Sequence, residues 1–67
     1  MDDLHERIKA LRLRQNFTLK DISDRTGLSL SFISQVERGS SSLSVTSLNK
    51  IAEALNVPIT YFFEQAN

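Results

Sequence analysis

The sequence predicts an all-α fold of about five short helices in a single domain, residues 1–67. Apolar residues recur at intervals of three and four along several separate segments, the spacing that places them on one face of a helix. Hydroxyl or acidic residues precede these segments and glycine or asparagine follows them, as is typical of helix starts and ends. No segment shows the apolar–polar alternation of a half-buried strand, so no sheet is predicted.

The composition is that of a small, ordinary globular chain with a thin core. A chain of 67 residues, 40% hydrophobic and 24% charged, buries only about 60% of its unfolded surface. Cysteine is absent, which excludes disulfides and thiolate metal sites. The chain lacks an apolar run of roughly 20 residues and a basic leader, so we expect a cytoplasmic protein.

The charges balance in number but not in position. Eight Lys and Arg residues offset eight Asp and Glu residues, which argues against a polyanion binder held mainly by bulk charge. A neutral domain can still carry a basic stripe. All but one of the basic residues precede residue 39, namely Arg7, Lys9, Arg12, Arg14, Lys20, Arg25 and Arg38.

The first helix is expected to start at a cap formed by Asp2 or Asp3 and to run to about Gln15. Asn16 then suits the left-handed position that often ends a helix. The inner face of this helix carries Leu4, Ile8 and Leu11.

The remaining faces of the first helix are basic or apolar. Arg7, Lys9 and Arg14 form either a solvated face or a set of phosphate contacts, and the pattern does not decide between them. Leu13 lies off the apolar stripe and is expected to be exposed.

The second helix has the strongest boundary signals of the chain. Thr18 and Asp21 match a capping box, and Phe17 and Ile22 match the hydrophobic staple that accompanies it. The helix is predicted over 19–26, with Gly27 just past its end. A connection of three residues, 27–29, leads into the next helix, which is the helix-turn-helix arrangement.

The third helix is predicted to begin after a Ser29 cap and to stop at Gly39. Ile33 and Val36 fall on its inner side. Its outer side carries small hydroxyls, one amide and one guanidinium, a set suited to base edges and phosphates or to plain solvation, namely Ser31, Ser34, Gln35 and Arg38.

The last third of the chain predicts two more helices after a serine-rich surface loop. Ser44 caps a scaffold helix running from Val45 to about Leu55. Its inner stripe is Val45, Leu48, Ile51, Ala52 and Leu55. Val57 and Pro58 open a short final helix. Its apolar residues close the core or form a partner surface, and both readings stay open for Ile59, Tyr61, Phe62 and Phe63.

Together these residues resemble the Cro/C1-type helix-turn-helix family of DNA-binding regulators, also called the XRE family. The resemblance extends from residues 7–12 (R-I-K-A-L-R) to residues 57–59 (V-P-I) and 62–63 (F-F). Its most characteristic segments are 26–29 (T-G-L-S), 33–39 (I-S-Q-V-E-R-G) and 48–55. The resemblance implies a compact, lambda-repressor-like domain of five helices, whose third helix enters the DNA major groove.

Family members read bases with the start and the outward face of that helix. A glutamine such as Gln35 can pair with adenine, serine can serve several bases, and Leu30 or Phe32 can lie against a thymine methyl. Arg38 is a phosphate contact at the helix end, and serine hydroxyls and amides after it can bind phosphate. The residues expected to contact DNA are Thr18, Lys20, Ser29, Leu30, Ser31, Phe32, Ser34, Gln35, Arg38, Ser40 and Ser41.

The resemblance also implies an ion pair and shows two departures. In relatives, residues matching Arg12 and Glu37 often form a partly buried pair that ties the first helix to the third. Relatives commonly carry a phosphate-binding glutamine where this chain has Leu19, which leaves the backbone N–H groups at the Thr18 cap and Lys20 for that contact. Leu43 replaces a frequent proline, which predicts a less rigid serine loop.

The implied function is sequence-specific DNA binding by a prokaryotic transcriptional regulator. One such unit reads few base pairs, so a homodimer on two half-sites about 34 Å apart is expected. The last helix or a further domain supplies the dimer contact. Relatives with a similar ending at 59–63 often continue into a small-molecule-sensing barrel, so an effector is expected only through a domain outside this chain. The alternative is a protein-interaction module that keeps the fold without binding DNA.

No enzyme, cofactor or metal site is predicted. His5 is the only histidine, no Gly-rich phosphate loop is present, and no general base accompanies the serines. A single imidazole without cysteines does not make a metal site. We therefore expect His5 at the surface.

Overall fold

The computed structural model describes residues 4–63 and consists of four α-helices and a C-terminal 3₁₀ turn. The elements are α1 (Leu4–Arg14), α2 (Leu19–Thr26), α3 (Leu30–Glu37), α4 (Val45–Ala54) and the 3₁₀ turn (Ile59–Phe63). These described residues contain no strand, which agrees with the all-α prediction. The count of five helices is wrong by one, because the last segment is a five-residue 3₁₀ turn. Its Tyr61 N–H donates to the carbonyl of Pro58 three residues earlier, at 2.9 Å.

The helix ends follow the predicted caps to within one residue. The expected cap at Asp2 or Asp3 lies outside the described residues, and α1 ends at Arg14 instead of Gln15. Asn16 has the expected left-handed backbone, with φ of 63°. Helix α2 has the predicted bounds, whereas α4 ends one residue early and uses Leu55 as its C-cap.

The core lies between the inner faces of all four helices and the 3₁₀ turn. Its buried members are Ile8, Leu11, Ile22, Ile33, Val36, Leu48, Ile51, Ala52, Ala54, Leu55 and Phe62. The prediction for Val45 is wrong, since this side chain is 71% exposed. Val45 is the first residue of α4, so it precedes the turn at which the apolar stripe reaches the core.

The apolar residues of the C-terminal segment divide between the core and the surface. Phe62 is buried and meets the Tyr61 ring edge to face, with 5.3 Å between centroids. Ile59 and Tyr61 pack against the core from its margin, whereas Phe63 is 58% exposed. Closure of the core therefore accounts for three of the four residues.

Two polar side chains of the first helical segment bind it to the end of the chain. Arg7 Nη1 donates to the Tyr61 carbonyl at 3.2 Å, so half-buried Arg7 has a structural contact that neither reading of the basic face anticipated. Gln15 Nε2 donates to the Leu55 carbonyl at 2.6 Å. Within residues 4–63, no helix is long and apolar enough to cross a membrane.

Candidate nucleic-acid interface

The turn between α2 and α3 is held by hydrogen bonds from small side chains. Gly27 has φ of 77°, and its N–H donates to the Ser23 carbonyl at 2.9 Å. Ser23 Oγ donates to the Leu28 carbonyl at 2.6 Å, and the Leu28 N–H donates to Thr26 Oγ1 at 3.1 Å. Ser23 thus bonds directly across the turn, which fixes the direction in which α3 leaves it.

Helix α3 is attached to the core by one side and presents the other. Ile33 and Val36 have no exposed surface, and Ser29 caps the helix by accepting from the Phe32 N–H at 3.1 Å. The outward side consists of Leu30, Ser31, Gln35 and Arg38, which are exposed, with Phe32 and Ser34 half-buried beside them. The first turn contains no acidic residue, so nothing there repels a phosphate.

A bidentate ion pair joins α1 to the end of α3. Arg12 Nε donates to Glu37 Oε2 at 2.7 Å and Arg12 Nη2 donates to Glu37 Oε1 at 2.9 Å. The two side chains are only 9% and 6% exposed, and Arg12 Nη1 also donates to the Phe17 carbonyl at 2.9 Å. Hydrogen bonding and charge from Glu37 raise the pKa of Arg12 despite its burial, so this guanidinium stays charged.

The start of α2 is a closed capping box. Thr18 Oγ1 accepts from the Asp21 N–H at 3.0 Å, and the Thr18 N–H donates to Asp21 Oδ2 at 2.8 Å. These bonds to the carboxylate lower the pKa of Asp21. The amides of Leu19 and Lys20, rather than that of Thr18 itself, are the donors left at this helix end. The Lys20 ammonium lies 3.0 Å from Asp24, in an exposed pair.

The serine loop is fastened to the last turn of α3. Ser40 N–H and Ser40 Oγ both donate to the Gln35 carbonyl, at 3.0 and 3.2 Å. Leu43 packs against the core from its margin. Ser44 caps α4 by accepting from the Ser47 N–H at 3.1 Å. Ser40 therefore sits next to the outward side of α3, and Ser41 follows it, half-buried.

His5 is half-buried, which contradicts the expected surface position. Its ring lies against Gly39, where an added Cβ would come within 3.0 Å of His5 Cδ2. His5 Nδ1 is buried and has no hydrogen-bond partner. Among residues 4–63, no cluster of three or more metal-ligating His, Cys, Asp or Glu side chains forms.

Two features of this face were not assigned a role from the sequence. Leu13, 53% exposed as expected, lines an open groove of about 570 Å³ together with Phe17, Leu19 and Leu30. Arg25 lies over the Phe17 ring, with 4.4 Å between its Cζ atom and the ring centroid. The off-stripe position of Leu13 was the available signal for the groove. Nothing in the spacing of Arg25 indicated its ring contact.

The structure brings most of the predicted DNA-contacting residues onto one side of the domain. The α3 residues share its outward side, and Ser40 is bonded to its last turn. Thr18, Lys20 and Leu30 line the same groove. The hydroxyl oxygens of Thr18 and Ser29 accept capping bonds, so only their O–H hydrogens are available to a phosphate.

Known proteins share both this fold and this sequence pattern. The transcriptional regulator SutR of Escherichia coli (strain K12) is 40% identical over 55 residues, covering 82% of this chain and 31% of that regulator. The chain spans less than half the length of the curated relatives it matches.

Two solved structures are similar over nearly the whole chain. The restriction-modification controller protein C.AhdI from Aeromonas hydrophila has a TM-score of 0.87 at 27% identity, covering 90% of this chain and 91% of that one. The P22 c2 repressor, solved in complex with a synthetic operator, has a TM-score of 0.84 at 26% identity, covering 92% and 94%. A family model described as helix-turn-helix (HTH_3) matches residues 8–62. With this match spread over the caps, turn and core described above, the chain belongs to the Cro/C1-type helix-turn-helix family.

Proposed function

We propose that this domain binds double-stranded DNA in a sequence-specific manner, with α3 in the major groove, as the DNA-binding part of a cytoplasmic prokaryotic transcriptional regulator. The outward side of α3 carries the proposal. Ile33 and Val36 are fully buried and fix the helix, while Ser31 and Gln35 are exposed. Within residues 4–63 the side-chain amide of Gln35 has no hydrogen bond, so its donor and acceptor are available to a base.

The residues of this face divide into base readers and backbone contacts. Gln35 is suited to a bidentate pair with adenine, and Ser31 and Ser34 can serve several bases. Phosphates are expected at Arg38, at Lys20 with the free amides of the α2 start, and at the serine loop. Lys20 must exchange Asp24 for a phosphate, an exchange that costs little because the pair is exposed.

The ion pair between Arg12 and Glu37 holds α3 in register against α1. The guanidinium bonds both carboxylate oxygens and the carbonyl of Phe17, and so connects α1, the α1–α2 loop and the last turn of α3. A rotation or slide of α3 would break at least one of these bonds. The pair thus acts on DNA binding through the position of the reading helix.

Dimerisation completes the proposal, because a single unit of this size reads too few base pairs. Two copies on half-sites about 34 Å apart supply the missing affinity. Phe63, 58% exposed at the C-terminal end of the described residues, supports a self-contact there. Because the curated relatives are longer, an effector-sensing or dimerising domain belongs to the part of such regulators that lies outside this chain.

Selection of binding sites from random duplexes tests the proposal directly. Gln35→Ala is expected to relax the preference at one base position per half-site, because it removes a base pair contact worth about 1 to 3 kcal/mol, while non-specific binding stays almost intact. Val45→Ala is the matched control, since Val45 lies in the first turn of α4 and outside the proposed face. Equal weakening of Gln35→Ala on all sequences would instead assign Gln35 to the DNA backbone.

The zero net charge favours one competing function, a protein-interaction module that does not bind DNA. Salt separates the two. A DNA binder that neutralises several phosphates loses affinity steeply as salt rises, with a slope set by the number of contacts. Failure to enrich any site from random duplexes would support the interaction module.

A further inference from the structure

The apolar groove beside the start of α3 is unusual for a surface that is to meet a polyanion. Leu13 from the end of α1, Leu19 from the start of α2 and Leu30 from the start of α3 line it. Leu13 and Leu30 are 53% and 49% exposed. The nearby Lys20 ammonium is paired with Asp24, so the groove offers apolar contact rather than a bare cation.

The groove is continuous with the proposed reading surface. Leu30 is the first residue of α3, and in helix-turn-helix docking the N-terminal residues of the second helix approach the base edges. Thr18 and Lys20, two proposed phosphate contacts, line the other side of the groove. A DNA strand contacting both helix starts would therefore pass over the three leucines.

The chemistry of the major groove leaves one match for such a lining. Base edges there present hydrogen-bond donors and acceptors, and the apolar group they carry is the 5-methyl group of a pyrimidine. A protein partner fits less well, because only eight residues line the groove whereas a stable protein interface uses about 20 to 30 residues a side.

We propose that the groove formed by Leu13, Leu19 and Leu30 receives the 5-methyl group of a pyrimidine next to the bases read by α3. This inference rests on the proposed function and adds Leu13 and Leu19 to its specificity-determining residues. Thymine and 5-methylcytosine both present this group in the major groove. The domain therefore prefers thymine at that position and binds 5-methylcytosine better than cytosine there.

The test starts from a site that the wild-type domain selects from random duplexes. Each thymine is replaced in turn by uracil, which removes only the methyl group, and the dissociation constant is measured at fixed salt. We expect a loss of about fourfold at one position per half-site, the effect of one buried methyl-sized group. At that position, changing cytosine to 5-methylcytosine is expected to restore about the same factor.

The variants assign the effect to the groove. Leu13→Ala, at a half-exposed position outside the reading residues, is expected to bring the thymine-to-uracil ratio close to one, and Val45→Ala is expected to keep it. Melting temperatures establish that both variants are folded. Equal affinity for thymine and uracil at every position, or a ratio unchanged in Leu13→Ala, would overturn the inference and leave the groove to a protein partner. Failure to select any site would defeat the proposed function as well, so the two failures are distinguishable.

Discussion

Replacement of Arg12 by alanine is expected to lower the free energy of unfolding by about 3 to 5 kcal/mol, because it leaves a buried carboxylate without its partner. Glu37 is 6% exposed and accepts two of the Arg12 hydrogen bonds, and the Phe17 carbonyl loses its donor too. A chain of this size has a total stability of about 3 to 10 kcal/mol. Arg12→Ala is thus expected to be partly unfolded at 37 °C.

Urea unfolding at pH 7, followed by far-UV circular dichroism, measures this loss. Arg12→Lys keeps the charge but not the two-pronged geometry, so its loss is expected to be intermediate and the variant folded. Lys20→Ala is the control, because it breaks an ion pair whose side chains are 77% and 66% exposed and should cost at most about 1 kcal/mol. If Arg12→Ala cost no more than Lys20→Ala, the argument from burial would be refuted.

Further predictions concern the helix ends. Gly27→Ala should cost about 1 to 2 kcal/mol through its positive φ alone, since an added Cβ meets nothing within 4 Å. Gly39→Ala should cost more in the same urea titration, because its Cβ would also press on the His5 ring; equal losses would show that His5 moves away freely. The Asp21 carboxylate, whose pKa is lowered by Thr18, stabilises the fold above its ordinary pKa of about 3.9 and loses this effect as the pH falls through its lower folded value. Asp21→Asn should therefore be less stable than wild type at pH 7 but not at pH 2, and a gap independent of pH would contradict this.

The best predicted parts of the molecule are those that depend on neighbours in sequence. The capping box of Thr18 and Asp21, the left-handed Gly27 and the bounds of α2 all follow from interactions within a few residues. The same holds for the left-handed Asn16. Local patterns were less reliable at Val45, which continues the apolar stripe of α4 but lies beyond the edge of the core.

The candidate site was predicted unevenly for the same reason. The outward residues of α3 follow from helical periodicity and the burial of Ile33 and Val36. The partnership of Arg12 and Glu37, 25 positions apart, came from the family resemblance, since no local rule pairs them. The ring contact of Arg25 and the half-burial of His5 had no signal in the sequence at all.

The sequence by itself determined where the helices begin and end and which side of each is apolar, because caps, glycines and periodicity act within one or two turns. Tertiary structure decided what those helices make together. It made the last segment a 3₁₀ turn, buried the pair of Arg12 and Glu37, and set Leu13, Leu19 and Leu30 around one groove beside the reading helix. These features depend on the angles and distances between packed helices, which apolar spacing within a single helix does not specify.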